Sequence, residues 1–188
     1  PFIARHACER MKSYFLENDI PKPNILIVGL GPIGEAVQQY FEREGLTVSG
    51  FDSKHDHTDL VATINAQKPD VVIGATGSNI LTSKEIGKIS LDSKVHFISV
   101  SSSDREFPVT EYRKGEMPAH GDVQYKNFTF VNNGFPITFK GHKNEAYPQE
   151  MEKTMSLLGG AVMHGATALT LENGLINLPE ELEKLINE

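Results

Sequence analysis

The chain has 188 residues, of which 39% are hydrophobic and 23% charged, with a formal net charge of −7. This length suits one well-buried domain and is too short for two of ordinary size. The sequence has no apolar run of the ~18 to 20 residues that a membrane helix needs. Its basic residues are scattered, which argues against nucleic acid as a partner because phosphate backbones are held by clustered cations. The single cysteine cannot form an internal disulfide, and no signal-peptide pattern is visible, so we expect a soluble, cytoplasmic protein.

The first expected element is a helix over residues 4 to 17, ended by Pro21 and Pro23. Its apolar positions recur at helical spacing and form one stripe, which we expect to pack on the flank of a sheet: Ala4, Ala7, Met11, Tyr14 and Phe15. Because the chain starts at Pro1 without a methionine, we interpret residues 1 to 23 as a leading helix and linker that continue from a missing N-terminal region. Residues 24 to 188 would then form one domain.

A β-α-β unit is predicted next. Residues 24 to 29 (NILIVG) form the unbroken apolar run typical of a central parallel strand. A glycine loop follows at once, and from Pro32 to Glu44 apolar residues recur at helical spacing, with Gly45 placed to cap the helix in a left-handed conformation. Residues 47 to 52 (TVSGFD) complete a unit of about 30 residues.

Further elements alternate along the chain. We expect a helix over 58 to 67, a strand over 70 to 75, a short helix opened by a Thr82/Glu85 capping box, and a strand over 94 to 100. Residues 101 to 127 are predicted to be mostly loop. Residues 128 to 139 have the pattern of a hairpin turning at Asn133-Gly134. Helices are expected over about 148 to 171 and again from Pro179. The fold class predicted is α/β, a Rossmann-type, doubly wound and mainly parallel sheet with helices on both faces.

The glycine loop, GLGPIG, points to a dinucleotide. Gly29 would permit the tight turn, Gly31 would let a pyrophosphate approach the backbone, and Gly34 would let the helix pack closely on the strand. The start of the helix offers free N–H groups and about half a positive charge to phosphates. Asp52, 23 residues after Gly29, is placed to accept hydrogen bonds from the adenosine ribose, which favours NAD over NADP.

A structural interpretation stands beside this one. The string is weak evidence alone, because glycines are common in turns. In that case the loop would be an ordinary turn and Asp52 would cap a strand. Lys54, two residues further on, could soften the preference against NADP.

Four stretches follow one another along the chain: ILIVGLGPIGEAV with FD after it, DVVIGATGSNILTSKEI, NNGFPITFKGH and LINLPEELEKLI. In this order they resemble the NAD-binding domain of the S-adenosyl-L-homocysteine hydrolase (adenosylhomocysteinase) family. In that family a bound NAD oxidises the substrate's ribose 3′-hydroxyl, which permits elimination of homocysteine and addition of water, and NAD is then regenerated. The resemblance implies an NAD cofactor, a nucleoside substrate held by a domain outside this chain, and a homo-oligomer.

The resemblance also implies cofactor-binding positions, which we expect at these residues: Gly29, Gly31, Pro32, Ile33, Gly34, Asp52, Ala75, Thr76, Gly77, Ser99 and His142. The family's Asn-x-Gly-His-Phe-Asp stretch reads Ser-Val-Ser-Ser-Ser-Asp here, so Ser99 replaces the carboxamide-binding Asn and Ser102 replaces the His, while Asp104 is kept. The 18 residues between Asp52 and Val71 leave room for one helix and hardly for the extra strand of the family. No catalytic residue can be assigned on this chain.

Other candidates have more ordinary interpretations. His55 and His57 flank Asp56 at a spacing that could hold a metal, but no third ligand is evident, so we favour a solvated loop. His142 either contacts a nucleotide or caps a loop. His164 and a methionine stripe at 151, 155 and 163 fit a core or a subunit surface. Cys8 has no nearby His that would make it a nucleophile.

Three functions therefore remain open. The first is the cofactor domain of an enzyme related to adenosylhomocysteinase. The second is a non-catalytic module that binds NAD as a sensor or within an oligomer, which the serines at 99 and 102 favour. The third is the cofactor domain of another NAD-dependent dehydrogenase, which only the general fingerprint supports.

Overall fold

The computed structural model describes residues 2–54, 59–102, 104–113, 115, 120–140 and 148–167. The chain divides into two compact units, Pro1–His142 and Lys143–Glu188. Within the described part of the first unit, one sheet contains six strands: β1 (Asn24–Val28), β2 (Thr47–Phe51), β3 (Val71–Gly74), β4 (Val95–Ser99), β5 (Val123–Tyr125) and β6 (Phe128–Phe130). Their order is β2-β1-β3-β4-β6-β5, and every pair is parallel except β5 with β6.

Helices cover both faces of this sheet. They are α1 (Phe2–Glu17), α2 (Pro32–Arg43), α3 (Leu60–Gln67) and α4 (Ser83–Ile86). Side chains of β1 alternate between the faces: Ile25 and Ile27 pack with α1 and α2, whereas Leu26 and Val28 pack with α3 and α4. Both sets are buried, which explains why β1 is an unbroken apolar run. The predicted doubly wound, Rossmann-type α/β fold is confirmed.

The winding direction changes at β1. From β1 the chain passes through α2 to β2 on one side, and from β2 it returns through α3 to β3 on the other side. In open parallel sheets such a reversal leaves a crevice at the carboxyl ends of the two diverging strands, and ligands bind there. With α3 as the only element between β2 and β3, no extra strand follows β2 in the described chain.

The leading helix α1 belongs to the core of the first unit. All five residues of its predicted stripe are buried, and they join Phe41 of α2 in the same apolar cluster. Phe15 and Phe41 place their ring centroids 5.8 Å apart. The prediction that this helix packs on the flank of the sheet is confirmed.

Several local predictions are also confirmed. Gly45 follows α2 with φ of 76°, and its N–H donates to the carbonyl of Glu42 at 3.0 Å. Thr82 and Glu85 form the capping box: the Thr82 hydroxyl accepts from the Glu85 N–H, and the Glu85 carboxylate accepts from the Thr82 N–H at 2.7 Å. Such contacts depend on residues three or four apart, so the sequence pattern predicts them directly.

The hairpin predicted at Asn133-Gly134 is wrong. The hairpin lies earlier in the chain, between the antiparallel strands β5 and β6, and its turn contains Lys126 with φ of 53°. After β6 the chain forms a 3₁₀ turn over Val131–Gly134, in which residues 132 to 134 have φ of 54°, 56° and 82°. It then continues into another 3₁₀ turn, Ile137–Phe139, and does not return beside β6. The N–H of Asn132 donates to the Asp122 carboxylate at 2.8 Å, and its side-chain amide donates to the Pro136 carbonyl at 2.7 Å. Contacts with more distant residues thus overrule the local turn signal.

The predicted loop over 101 to 127 contains structure as well. A 3₁₀ turn spans Val109–Glu111, and β5 is an edge strand of the sheet. In the second unit, α5 runs over Pro148–Thr167, and four of its apolar side chains are exposed: Met155, Leu158, Val162 and Met163. The predicted end at 171 and the predicted helix from Pro179 lie outside the described residues. Within the described ranges, no helix combines the length and apolar character needed to cross a bilayer.

Candidate functional site

The loop from Gly29 to Gly34 joins β1 to α2, and two of its glycines are required by close packing. Gly29 has φ of 95°, and a Cβ there would lie 2.6 Å from the Thr76 side chain. A Cβ on Gly34 would lie 1.9 Å from the Gly29 carbonyl oxygen. No real contact is that short, so both positions exclude any larger residue for reasons internal to the fold.

Gly31 differs from these two glycines. Its φ is −78°, which any residue adopts, and a Cβ there would meet no protein atom within 4 Å. Neither backbone conformation nor packing therefore calls for glycine at this position. Gly31 therefore leaves its backbone open to a group that approaches from outside the fold, and glycine is also a common N-cap residue.

The helix that follows presents its start to the same space. Gly31 is the N-cap of α2, and Pro32 occupies its first turn. The first hydrogen bond of the helix runs from the Glu35 N–H to the Gly31 carbonyl at 2.9 Å. The amides of Ile33 and Gly34 precede that bond and, as at every helix start, have no partner within the helix, which creates a local positive field.

Asp52 follows β2 and is tied to the glycine loop. One of its carboxylate oxygens accepts from the Leu30 N–H at 2.9 Å, and the other accepts from the Lys54 N–H at 3.0 Å. The side chain is half-buried. The carboxylate of Asp52 thus bonds to backbone amides on both sides of the cleft's β2 end.

These groups border one cleft of about 770 Å³ at the carboxyl ends of β1, β2 and β3. Five of the expected residues line it: Gly29, Gly31, Asp52, Ala75 and Thr76. The other expected residues that the structure describes do not line it: Pro32, Ile33, Gly34, Gly77 and Ser99. His142 lies outside the described residues. The sequence did not single out several other lining residues: Ser53, Asp59, Leu60, Ser78, Asn79 and Ile80.

The wall formed after β3 depends on a residue that the sequence did not indicate. Glu106 is fully buried, and one of its oxygens accepts from the Thr76 N–H at 2.7 Å, the Thr76 hydroxyl at 3.2 Å and the Gly77 N–H at 3.1 Å. Its other oxygen accepts from the Ser99 hydroxyl at 2.6 Å. This carboxylate therefore fixes the loop after β3 to the end of β4.

Residues around Glu106 make room for its carboxylate or contact its partner Ser99. A Cβ on Gly74 would lie 2.6 Å from the Glu106 carboxylate, so glycine in β3 makes room for the acid. Ser101 also places its hydroxyl 3.0 Å from that of Ser99. The only sequence signal for Glu106 is a charged residue next to the apolar Phe107 and Val109, and this pattern is too common to be specific.

The remaining candidates lie elsewhere. His55, Asp56 and His57 are outside the described residues, and the described residues contain no group of three or more His, Cys, Asp or Glu able to hold a metal ion. Cys8 lies within the core on α1, where burial raises the pKa of its thiol to about 12. A thiol with that pKa is a poor nucleophile. His164 is half-buried on α5.

Comparison with models of protein families finds no match for this chain, and comparison with curated proteins finds no significant relative.

Proposed function

We propose that this chain is an NAD-binding domain whose cleft at the carboxyl ends of β2, β1 and β3 holds the cofactor. The observation that carries this proposal is the glycine at position 31, which the fold itself does not require and which opens onto the cleft. A pyrophosphate seated there would approach the Gly31 backbone and accept from amides at the start of α2.

The adenosine half would lie toward β2. Asp52 lines that end of the cleft, and its carboxylate is the group that would accept from the ribose hydroxyls. Its negative charge opposes a 2′-phosphate, so we propose NAD and not NADP. Lys54, an exposed neighbour in the cleft lining, is the group that would moderate this preference.

The other half of the cofactor would extend past β3. Ala75 and Thr76 line that part of the cleft, and Thr76 is held in place by Glu106. The walls on the two sides are therefore tied by hydrogen bonds in the ligand-free chain. A site that needs no rearrangement loses less of its binding energy to ordering.

We propose further that the domain serves an enzyme related to adenosylhomocysteinase, acting on a nucleoside substrate as a homo-oligomer. Support comes from the ordered resemblance of four stretches between residues 24 and 188. In this arrangement NAD would supply reversible oxidation of the substrate ribose. This chain would hold and orient the cofactor, and the substrate domain would lie outside this sequence.

A non-catalytic NAD-binding module is the second candidate, and one observation favours it. Ser99 stands where the resemblance places a carboxamide-binding Asn, and it is 1% exposed with its hydroxyl given to Glu106. Serine has no side-chain amide, and the hydroxyl of this serine already donates to Glu106. Ser99 therefore cannot orient a nicotinamide ring for hydride transfer as an Asn would. This observation supports NAD binding without hydride transfer.

The binding proposal is tested by titrating NAD into the chain by calorimetry, with Gly31→Val as the critical variant. We expect the variant to fold normally, because a Cβ at this position meets no protein atom, and to bind NAD about tenfold more weakly or worse. Gly87→Ala is the matched control. It adds a Cβ at ordinary contact distance outside the cleft, so NAD affinity should not change. Full NAD affinity in Gly31→Val would contradict the proposal.

The enzymatic proposal needs the natural full-length protein. It should hydrolyse S-adenosyl-L-homocysteine and reduce its bound NAD when an adenosine analogue is supplied. NAD binding without either activity would select the non-catalytic module.

A further inference from the structure

Glu106 carries a further inference, because it is a buried acid with no cationic partner among the described residues. Its side chain is fully buried, yet none of the ion pairs between described residues includes it. Three donors bond to its two oxygens, the Thr76 and Gly77 amides and the Ser99 hydroxyl, and the Thr76 hydroxyl shares its single proton between Glu106 and the Ser78 carbonyl. Neutral donors therefore surround both oxygens, and this set of contacts suits a carboxylate.

A carboxylate in this position would project its field into the adjacent cleft. Its charge is held by neutral dipoles, which solvate it without cancelling it as a lysine or arginine would. Thr76 is in direct contact with the carboxylate and also lines the cleft. The Glu106 side chain therefore lies directly behind Thr76, a residue of the cleft wall, where the surroundings screen a charge less than water does.

The position of Glu106 along the sheet edge shows which part of a dinucleotide would feel this field. Asp52 marks the β2 end of the cleft, the glycine loop follows β1, and Glu106 joins the ends of β3 and β4. Adjacent strands lie about 4.8 Å apart, so β2 and β4 are separated by about 14 Å. An extended dinucleotide with its adenosine at Asp52 covers that span and reaches the β3 and β4 ends with its nicotinamide half.

We propose that Glu106 makes this site selective for the oxidised form of the cofactor. The inference rests on the proposed NAD binding. Oxidised nicotinamide carries a positive ring charge and reduced nicotinamide does not, while the rest of the two molecules is the same. A fixed negative charge at this end of the cleft stabilises the oxidised form and leaves the reduced form without that gain.

The test compares the dissociation constants of NAD⁺ and NADH, measured by calorimetry on the full chain. The wild type should bind NAD⁺ about tenfold more tightly than NADH. In Glu106→Gln the charge is lost while the hydrogen bonds are kept, because the new amide donates to the Ser99 hydroxyl and its oxygen still accepts from Thr76 and Gly77. This variant should keep its NADH affinity and lose most of the preference for NAD⁺.

Thr76→Val is the matched control, since it removes the hydroxyl contacts with Glu106 and Ser78 but keeps the Glu106 side chain. It should weaken both forms alike and leave their ratio unchanged. If the wild type binds both forms equally, or NADH more tightly, the inference is overturned even if Glu106→Gln does not fold, and the proposed NAD site stands. If a folded Glu106→Gln keeps the wild-type ratio, the inference is likewise overturned. If neither form binds the wild type, the proposed function fails with it.

Discussion

The carboxylate of Asp52 accepts a hydrogen bond from the backbone N–H of Leu30 at 2.9 Å, which joins the end of β2 to the middle of the glycine loop. The residue expected to hold the cofactor's ribose therefore also fixes the loop expected to hold its phosphates. Any substitution of Asp52 acts on both, so NAD affinity alone cannot separate the two roles.

We expect Asp52→Ala to weaken NAD binding by about 10- to 100-fold, because hydrogen bonds to a charged group contribute roughly 1.5 to 3 kcal/mol. The ratio of NADP to NAD dissociation constants separates the two roles. In the wild type, the dissociation constant of NADP should exceed that of NAD by more than about tenfold. Loss of loop order would weaken the binding of both cofactors alike and leave this ratio unchanged. Loss of the ribose contact and of the charge repulsion would lower the ratio. Calorimetric titration with both cofactors checks this. An unchanged ratio would mean that Asp52 only supports the loop.

Gly34→Ala should destabilise the first unit by about 3 kcal/mol or more, since its Cβ would lie 1.9 Å from a backbone oxygen that cannot move without shifting β1. Urea denaturation followed by circular dichroism measures this loss. Gly31→Val provides the contrast within the same loop and should unfold near the wild-type midpoint. Equal stability of the two variants would show that the loop adapts more readily than its packing indicates.

The capping box at α4 gives a prediction with a pH dependence. Thr82→Ala should cost about 1 kcal/mol of unfolding free energy. Hydrogen bonds from the Thr82 backbone and side chain lower the pKa of Glu85, so the folded state prefers the ionised carboxylate. This contribution is present above the unfolded pKa of about 4.3 and is lost as pH falls through the lower folded value.

Glu85→Gln separates the charge from the cap, because glutamine also completes a capping box. Its stability near neutral pH should lie close to the wild type, while the acid-dependent part should disappear. Denaturation curves at pH 7 and in the acid range measure both effects. An equal acid dependence in the two proteins would assign it to other carboxyl groups.

A buried histidine predicts a second pH dependence. His96 on β4 forms a hydrogen bond through Nδ1 with the Tyr14 hydroxyl at 2.8 Å. Burial lowers the pKa of its imidazole below the ordinary 6.5. The charges of Asp122 and Asp70 raise this pKa, and those of Lys94 and Lys140 lower it further. The unfolded state therefore takes up a proton at higher pH than the folded state. Stability should fall as pH drops below about 6.5.

His96→Asn keeps a polar group near Nδ1 but does not titrate. It should be less stable than the wild type at pH 7.5, and its unfolding free energy should change less between pH 7.5 and pH 5.5. Thermal unfolding at the two pH values gives the comparison. If the pH dependence is the same in both proteins, His96 is not its source.

The elements that the sequence predicted well are those whose cause is local. The caps at Gly45 and Thr82 involve residues a few positions apart, and the apolar run from Ile25 to Val28 is itself the local pattern of a strand that is buried on both faces. The α/β class and the place of the glycine loop follow from such signals, as does the position of Asp52. These features use interactions within one helix turn or one strand, which the residue pattern displays directly.

Only the tertiary structure decided the turn after β6 and the role of Glu106. Asn132-Asn133-Gly134 is a strong hairpin signal, but Asp122 and the Pro136 carbonyl hold Asn132 in a different conformation. Glu106 meets Thr76, a residue 30 positions earlier, only because β3 and β4 lie side by side. Contacts of that separation exist once the sheet has formed, and no pattern of neighbouring residues encodes them.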